Sequence, residues 1–165
     1  MPEPLWKPTA ERIARAGITA FALEAEATIG RKFSDYQSLH AWSVAESEAF
    51  WSILWDFCEL PERIAGEPVV QNRGKMPGAR WFPQARINFA RQLLRRRDDS
   101  PAMVFRAEDK ARRIVSYAEM YQEVASLAAA LRDAGVGPGD RVAAFMPNMP
   151  ETVIAMLATA SIGAI

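Results

Sequence analysis

The chain has 165 residues, half of them hydrophobic and 24% charged, with 20 acidic residues against 20 basic ones. It is long enough to bury a core and too apolar to be a disordered tail, and its balanced charge gives no global attraction to nucleic acid or an anionic membrane. Cys58 is the one cysteine and His40 the one histidine, which leaves no intramolecular disulfide, argues against a cysteine-built zinc site and makes a triad or two-histidine metal centre hard to build.

The balance conceals a bias. Residues 71–115 carry twelve Lys/Arg against four Asp/Glu, while residues 1–70 carry six against eleven. Stretches of this kind read as faces that pack on each other or meet water. The first twenty residues include Glu3, Glu11 and Arg12 and lack the apolar segment of a signal peptide. No run approaches the ~18 apolar residues of a membrane span, so the expected location is cytoplasmic.

In chain order, the first hundred residues read as helices separated by Pro/Gly punctuation. "PTAERIARAG" offers Thr9 as a cap and Gly17 as a stop, and "TAFALEAEATIG" repeats the device with Thr19 and Gly30. In "SVAESEAFWSILWDFC", Ser43 and Glu46 stand at capping-box spacing. Phe50, Trp51, Leu54, Trp55, Phe57 and Cys58 then cover so much of the surface that this helix is expected to be buried, with Cys58 a small core thiol. His40 reads as an ordinary helix-surface residue. "GEPVVQNRGKMPGARWFP" is expected to be extended or irregular. "NFARQLLRRRDD" comes next as a short helix capped by Asn88, with Phe89, Leu93 and Leu94 facing inward and Arg95–Arg97 opposing the negative end of its dipole.

From Pro101 the texture changes. "AMVF" and "RRIVS" are strand candidates around the charged turn "RAEDKA". Ser116 and Glu119 form a second capping box, opening a helix with Met120, Val124, Leu127 and Leu131 on one side and Gly135 at its end. "RVAAFM" reads as a buried strand. Pro150 and Glu151 suit the first turn of another helix, carrying Val153, Met156, Leu157 and Ala160. Gly163 stops it, and Ala164-Ile165 reads as the opening of a further buried strand. The "GVGPGD" turn follows a helix and precedes a strand, the reverse of a phosphate loop, so it is a helix stop and not an anion cradle. The expected fold class is α/β: a helical amino-terminal segment, then the first strands and helices of a mainly parallel, truncated sheet with right-handed crossovers.

Taken together, "VSYAEMYQEVASLAAALRDAGVGPGDRVAAFMPNMPETVIAMLATASIGAI" resembles the opening of the large domain of adenylate-forming acid–CoA ligases. The resemblance lies in the "SYAEM" helix start, the "GVGPGDRVA" turn and "PNMPE" before an apolar helix that ends in "GA". Upstream, "LWKPTAERIA", "DYQSLHAWSVAESEAFWSILWDFC" and "MPGARWFPQARINFARQLL" resemble the amino-terminal segment of acetoacetate–CoA ligases, relatives of acetate–CoA ligase. One departure is "INFARQLL", where the resemblance leads to a Glu-Asn pair in place of Arg91-Gln92.

The resemblance implies three segments: an amino-terminal helical extension over 1–34, an acetyl-CoA-synthetase-like amino-terminal segment over 35–100, and the truncated start of the AMP-binding domain over 101–165. It also implies an enzyme that uses ATP, Mg2+ and CoA to convert acetoacetate to acetoacetyl-CoA, AMP and pyrophosphate. That chemistry needs a Gly/Ser/Thr-rich phosphate loop, an acid for the ribose and a lysine against the developing charge. This sequence contains no such loop ending in Lys and no aromatic-Gly-Glu run, so no catalytic, cofactor-binding or metal-ligating residue is assigned. The chain by itself is expected to bind no cofactor and to need the rest of the ligase. Neither nucleic acid nor membrane is an expected partner. Other readings are acetate–CoA ligase or another short-acid relative, and a self-standing interaction module that docks through the aromatic helix at 44–58.

Overall fold

A computed structural model describes residues 5–61, 66–108 and 111–165. The chain forms two compact units, Met1–Ala85 and Arg86–Ile165. In the first, helix α1 (Ala10–Ala14) is capped by Thr9, whose hydroxyl accepts the Arg12 N–H at 3.3 Å. Gly17 does not stop this helix. Arg15 already ends it, and Gly17 is the first residue of α2 (Gly17–Ile29), which starts after extended Ala16. Thr19 lies inside α2 and donates to the Ile13 carbonyl at 2.7 Å, so it ties the two helices across their break where a cap was expected. Gly30 is the stop. At φ 66 it takes the left-handed conformation that side chains resist, and its N–H closes on Glu26 O.

The expected Ser43–Glu46 box is overturned. Asp35 and Ser38 form a reciprocal box one helix earlier and open α3 (Tyr36–Ala45). A helix nucleated there propagates through position 43, because each further residue adds a hydrogen bond at little cost. Ser43 instead donates to the His40 carbonyl at 2.8 Å, and Glu46 breaks the helix while its carboxylate meets Arg31 at 3.0 Å. His40 is exposed on α3, as expected, with its ring stacked on Tyr36 at 6.2 Å.

Helix α4 (Ser47–Phe57) buries one face, not all of them. Ile53 joins Phe21, Ala25, Leu39 and Trp42 in a core, with Phe50, Leu54 and Phe57 half-buried around it. Phe21 meets Phe50 and Phe57 edge-on at 5.6 and 5.4 Å, the arrangement that the ring quadrupoles favour. On another side Trp55 packs on Phe82 at 4.5 Å and donates from Nε1 to the Pro61 carbonyl at 2.8 Å. Trp51 remains exposed beside Trp81, and Cys58 is exposed too, contrary to its expected burial. The helix ends at Phe57, which turns Cys58 out of the apolar stripe. Residues 66–83 are largely irregular, with one short antiparallel ladder between β1 (Val70–Gln71) and β2 (Arg80–Trp81).

In the second unit Asn88 caps α5 (Phe89–Leu93), accepting the Arg91 N–H at 3.0 Å. Here Ala90 and Leu94 are buried, whereas Phe89 and Leu93 are exposed, against expectation. A helix this short turns one i, i+4 pair inward, and the pair containing alanine lets the backbone come close to its neighbour. Strands β3 (Pro101–Arg106) and β4 (Arg112–Ser116) form the expected antiparallel hairpin, with a register shift between Pro101 and Met103. Asp109 and Lys110 of its charged turn lie outside the described residues.

The Ser116–Glu119 box opens α6 (Tyr117–Asp133), and Met120, Val124 and Ala128 face the core, with Leu127 and Leu131 packed at its margin. Gly135, at φ 87, follows the helix end. Helix α7 (Pro150–Ser161) starts on proline, as expected. Its buried stripe is Ile154, Leu157 and Ala158, while Val153 and Met156 face outward, so the expected stripe is rotated by about one residue.

The expected buried strand over 141–146 is absent, and Phe145 is fully exposed. The two sheets among the described residues are two-stranded and antiparallel, which corrects the expected mainly parallel sheet. A strand needs a neighbouring strand, and residues 143–146 have none among those described. At the root of this segment, three bonds run in parallel sense: Gly139 N–H to Gly163 O at 2.9 Å, Ile165 N–H to Asp140 O at 2.7 Å, and Val142 N–H to Ile165 O at 2.7 Å.

Leu157 retains 2% of its surface in the centre of this core. Leu157→Ala is expected to destabilise the second unit by about 2–5 kcal/mol, read as a lower denaturation midpoint with the slope unchanged.

Candidate functional site

The glycine turn 135–140 is built to hold itself. Its Gly137 N–H goes to Asp140 Oδ2 at 2.8 Å and its Gly139 N–H to the Gly163 carbonyl at 2.9 Å, so these donors are committed within the chain. Gly139 needs its glycine because φ is 87. The expectation that this turn is a helix stop and not an anion cradle agrees with the geometry.

The charged residues form local clusters. Arg113 on β4 reaches Glu123 on α6 and Glu151 at the start of α7, both at 2.5 Å, so one guanidinium joins three elements. Nothing in the local sequence signalled this clamp. Arg113 sits in an exposed strand position, and Glu151 has a sufficient local reading as an acid in a first helical turn. Glu151 Oε2 is buried without a hydrogen-bond partner, which makes the other oxygen's bond to Arg113 more consequential.

The run Arg95–Arg97 does more than complement a helix end. Arg96 pairs with Asp98 at 2.6 Å and lies 4.8 Å from the Tyr117 ring, and Arg97 stacks over Tyr121 at 3.8 Å. Asp98 accepts from the Ser100 hydroxyl as well as from Arg96 and the Ser100 N–H. These bonds, the Ser100 hydroxyl first, hold its carboxyl at about 2. Glu119 is likewise held below the usual carboxylate range, chiefly by the Ser116 N–H of the capping box, and Glu26 by Lys32 and the Phe33 N–H.

No group of three or more His, Cys, Asp or Glu residues among those described could hold a metal ion. His40 lies on α3 stacked on Tyr36, and Cys58 follows the end of α4, so the two sit on separate elements. Among the described residues no helix is long and apolar enough to cross a membrane.

The depressed carboxyls set a pH dependence. A group whose folded value lies below its unfolded one stabilises the fold above the unfolded value, and that contribution disappears as pH falls through the folded value. For Asp98 the interval runs from 3.8 down to about 2. The melting temperature is therefore expected to be flat between neutral pH and about 5 and to fall below 4. Asp98→Asn should flatten part of that fall, measured by thermal denaturation across the range.

Comparison with known proteins places these units in context. Residues 89–165 match the AMP-binding enzyme family. The acetoacetyl-coenzyme A synthetase of Rhizobium meliloti (strain 1021) is 45% identical over 98% of this chain, and the match covers 25% of that protein. The acetoacetyl-CoA synthetase of Xenopus tropicalis is 34% identical over 98% of the chain and 24% of its own length. A solved acetoacetyl-CoA synthetase from Streptomyces lividans superposes with a TM-score of 0.84 at 42% identity, over 99% of this chain and 26% of that one. The chain thus spans about a quarter of the length of the relatives it matches. The resemblance read from its motifs is borne out in both sequence and structure: residues 89–165 match the AMP-binding enzymes, and the chain as a whole is similar to the amino-terminal quarter of acetoacetyl-CoA synthetases.

Proposed function

We propose that this chain is the amino-terminal part of an ATP-dependent acetoacetate–CoA ligase. The observation that carries the reading is similarity along nearly the whole chain, at 45% and 42% identity, to two proteins named for that activity. In the proposed reaction a carboxylate oxygen of acetoacetate attacks the α-phosphorus of ATP, and pyrophosphate leaves. The sulfur of CoA then attacks the acyl carbon, releasing its proton, and AMP leaves with the electron pair of the broken acyl–oxygen bond. A cytoplasmic location belongs to the same reading.

The residues of this chain do not fit the phosphate-holding part of that machinery. The glycine-rich turn at 135–140 spends two of its amides internally, and the sequence has no Ser/Thr-rich loop ending in Lys. Nor does any trio of acids among the described residues fit magnesium. We therefore assign no catalytic, cofactor or metal residue here. The contribution of the chain is scaffolding: a hairpin, two helices and the root of a parallel pair, held by the Arg113 clamp.

A related acid remains a specific second reading. Malonamoyl-CoA synthetase vrtB of Penicillium aethiopicum is 31% identical over 99% of this chain, so the similarity extends to a protein named for another short acid.

Two measurements test the proposal. The ligase containing this chain is expected to show a kcat/KM for acetoacetate at least tenfold above that for acetate, a discrimination of about 1.4 kcal/mol or more. Equal constants, or a preference for acetate, would move the assignment to another short acid. The 165-residue chain alone is expected to catalyse neither acid-dependent exchange of labelled pyrophosphate into ATP nor acyl-CoA formation, because attraction without placement lowers no barrier. Turnover by the purified chain that survives removal of the host's own ligases would mean that an active site lies within it.

A further inference from the structure

A groove of about 480 Å³ opens in the second unit between α5, α6 and the end of α7. Arg91, Arg97 and Arg132 converge on it from two elements and the segment after α5, and no carboxylate lines it. Elsewhere in this unit Arg96 has Asp98 and Arg113 has Glu123 and Glu151. In the groove no ion pair among the described residues engages any of the three arginines. Three cations gathered around one concavity without an anion repel one another, and the arrangement gains when an oxyanion enters.

Its details favour a phosphate group carried on an apolar body. Arg97 is already oriented, its guanidinium 3.8 Å from the Tyr121 ring and its Nε donating to the Leu94 carbonyl at 3.5 Å, so little freedom is lost when its remaining donors take a ligand. Guanidinium forks bind phosphoryl oxygens in pairs, and three of them match a dianion better than a single carboxylate. The floor is apolar, made by Leu94, Val124 and Ala128. The volume exceeds what inorganic phosphate needs and lies in the range of small-molecule sites.

We propose that this groove binds a small phosphomonoester, its phosphate between Arg91, Arg97 and Arg132 and its body on the Leu94–Val124–Ala128 floor. This inference stands on the groove's own geometry and does not rest on the reaction proposed above. Arg91 and Arg132 are exposed and their side chains engage no partner among the described residues, so they can be changed without removing a structural bond.

The test is calorimetric titration of the full chain with phenyl phosphate and with inorganic phosphate, at fixed ionic strength. Wild type is compared with Arg91→Glu, Arg132→Ala and the control Arg112→Glu, which makes the same charge change on exposed β4. Melting temperatures without ligand establish that each variant is folded, and Arg132→Ala serves if Arg91→Glu is not. Phenyl phosphate is expected to bind saturably and more tightly than inorganic phosphate. Arg91→Glu and Arg132→Ala should each weaken it at least tenfold, and Arg112→Glu by less than threefold. An equal loss in Arg112→Glu would reduce the effect to general charge and overturn the site. So would the absence of saturable binding by folded wild type, or equal affinity for the two phosphates.

Discussion

The second unit depends on close approach between helices that carry alanine where they meet the core. Ala90 of α5 and Ala158 of α7 have no exposed surface, and Ala128 of α6 retains 3%. A methyl side chain holds neighbouring backbones nearer than leucine would, and interiors packed at crystal-like density tolerate little extra volume. That nearness lets the Asn88 side-chain amide donate to the Ala160 carbonyl at 2.8 Å, while its oxygen caps α5. One asparagine thereby satisfies a helix start and ties it to a residue far along the chain. The larger side chains, Leu157, Val115 and Val124, then fill what the alanines leave.

The first unit uses a different device, an aromatic cluster whose rings meet at edges. Phe50 stands 5.6 Å from Phe21 and 5.9 Å from Trp42, and Trp42 lies 5.3 Å from Phe33. Rings of this size bury much area per residue, which suits helices of only ten to thirteen residues. The cluster leaves Trp42 Nε1 buried without an acceptor. Such a group costs stability, and apolar burial around it offsets that cost. Glu26 makes the complementary connection, accepting from Lys32 and the Phe33 N–H so that the chain leaving α2 is turned back toward the cluster.

Features governed by a few neighbouring residues were legible in the sequence. The caps at Thr9, Asn88 and Ser116–Glu119, the stops at Gly30 and Gly135, and the proline start of α7 each arise from local hydrogen bonding or φ preference. Expectation and structure part where two local solutions are equally good or where a partner decides. Asp35–Ser38 and Ser43–Glu46 are both box spacings, and the upstream one nucleates a helix that runs over the other. Phe89/Leu93 and Ala90/Leu94 are both i, i+4 pairs, and only tertiary packing selects between them. Residues 141–146 have a strand's composition, but a ladder belongs to two segments, and the sequence of one does not supply the other. The groove was legible only in part, because Arg91 and Arg97 fall within the basic stretch 71–115 while Arg132 lies outside it and only the fold brings it beside them.

The exit from α7 sets the geometry of the two residues beyond it. Gly163 takes φ 79, and a Cβ built there would sit 3.4 Å from Pro138 Cβ. A proline ring and a bare glycine thus act as a spacer of fixed thickness between the glycine turn and the helix exit. That thickness brings Gly139 N–H to the Gly163 carbonyl, and the next residues fall into parallel alignment from this one contact. The register of the pair is therefore set where the left-handed backbone of Gly163 turns the chain out of α7. A Cβ at 163 would meet Pro138 at ordinary contact distance, so a side chain there would instead strain the left-handed backbone, and a shift at this root propagates along both segments.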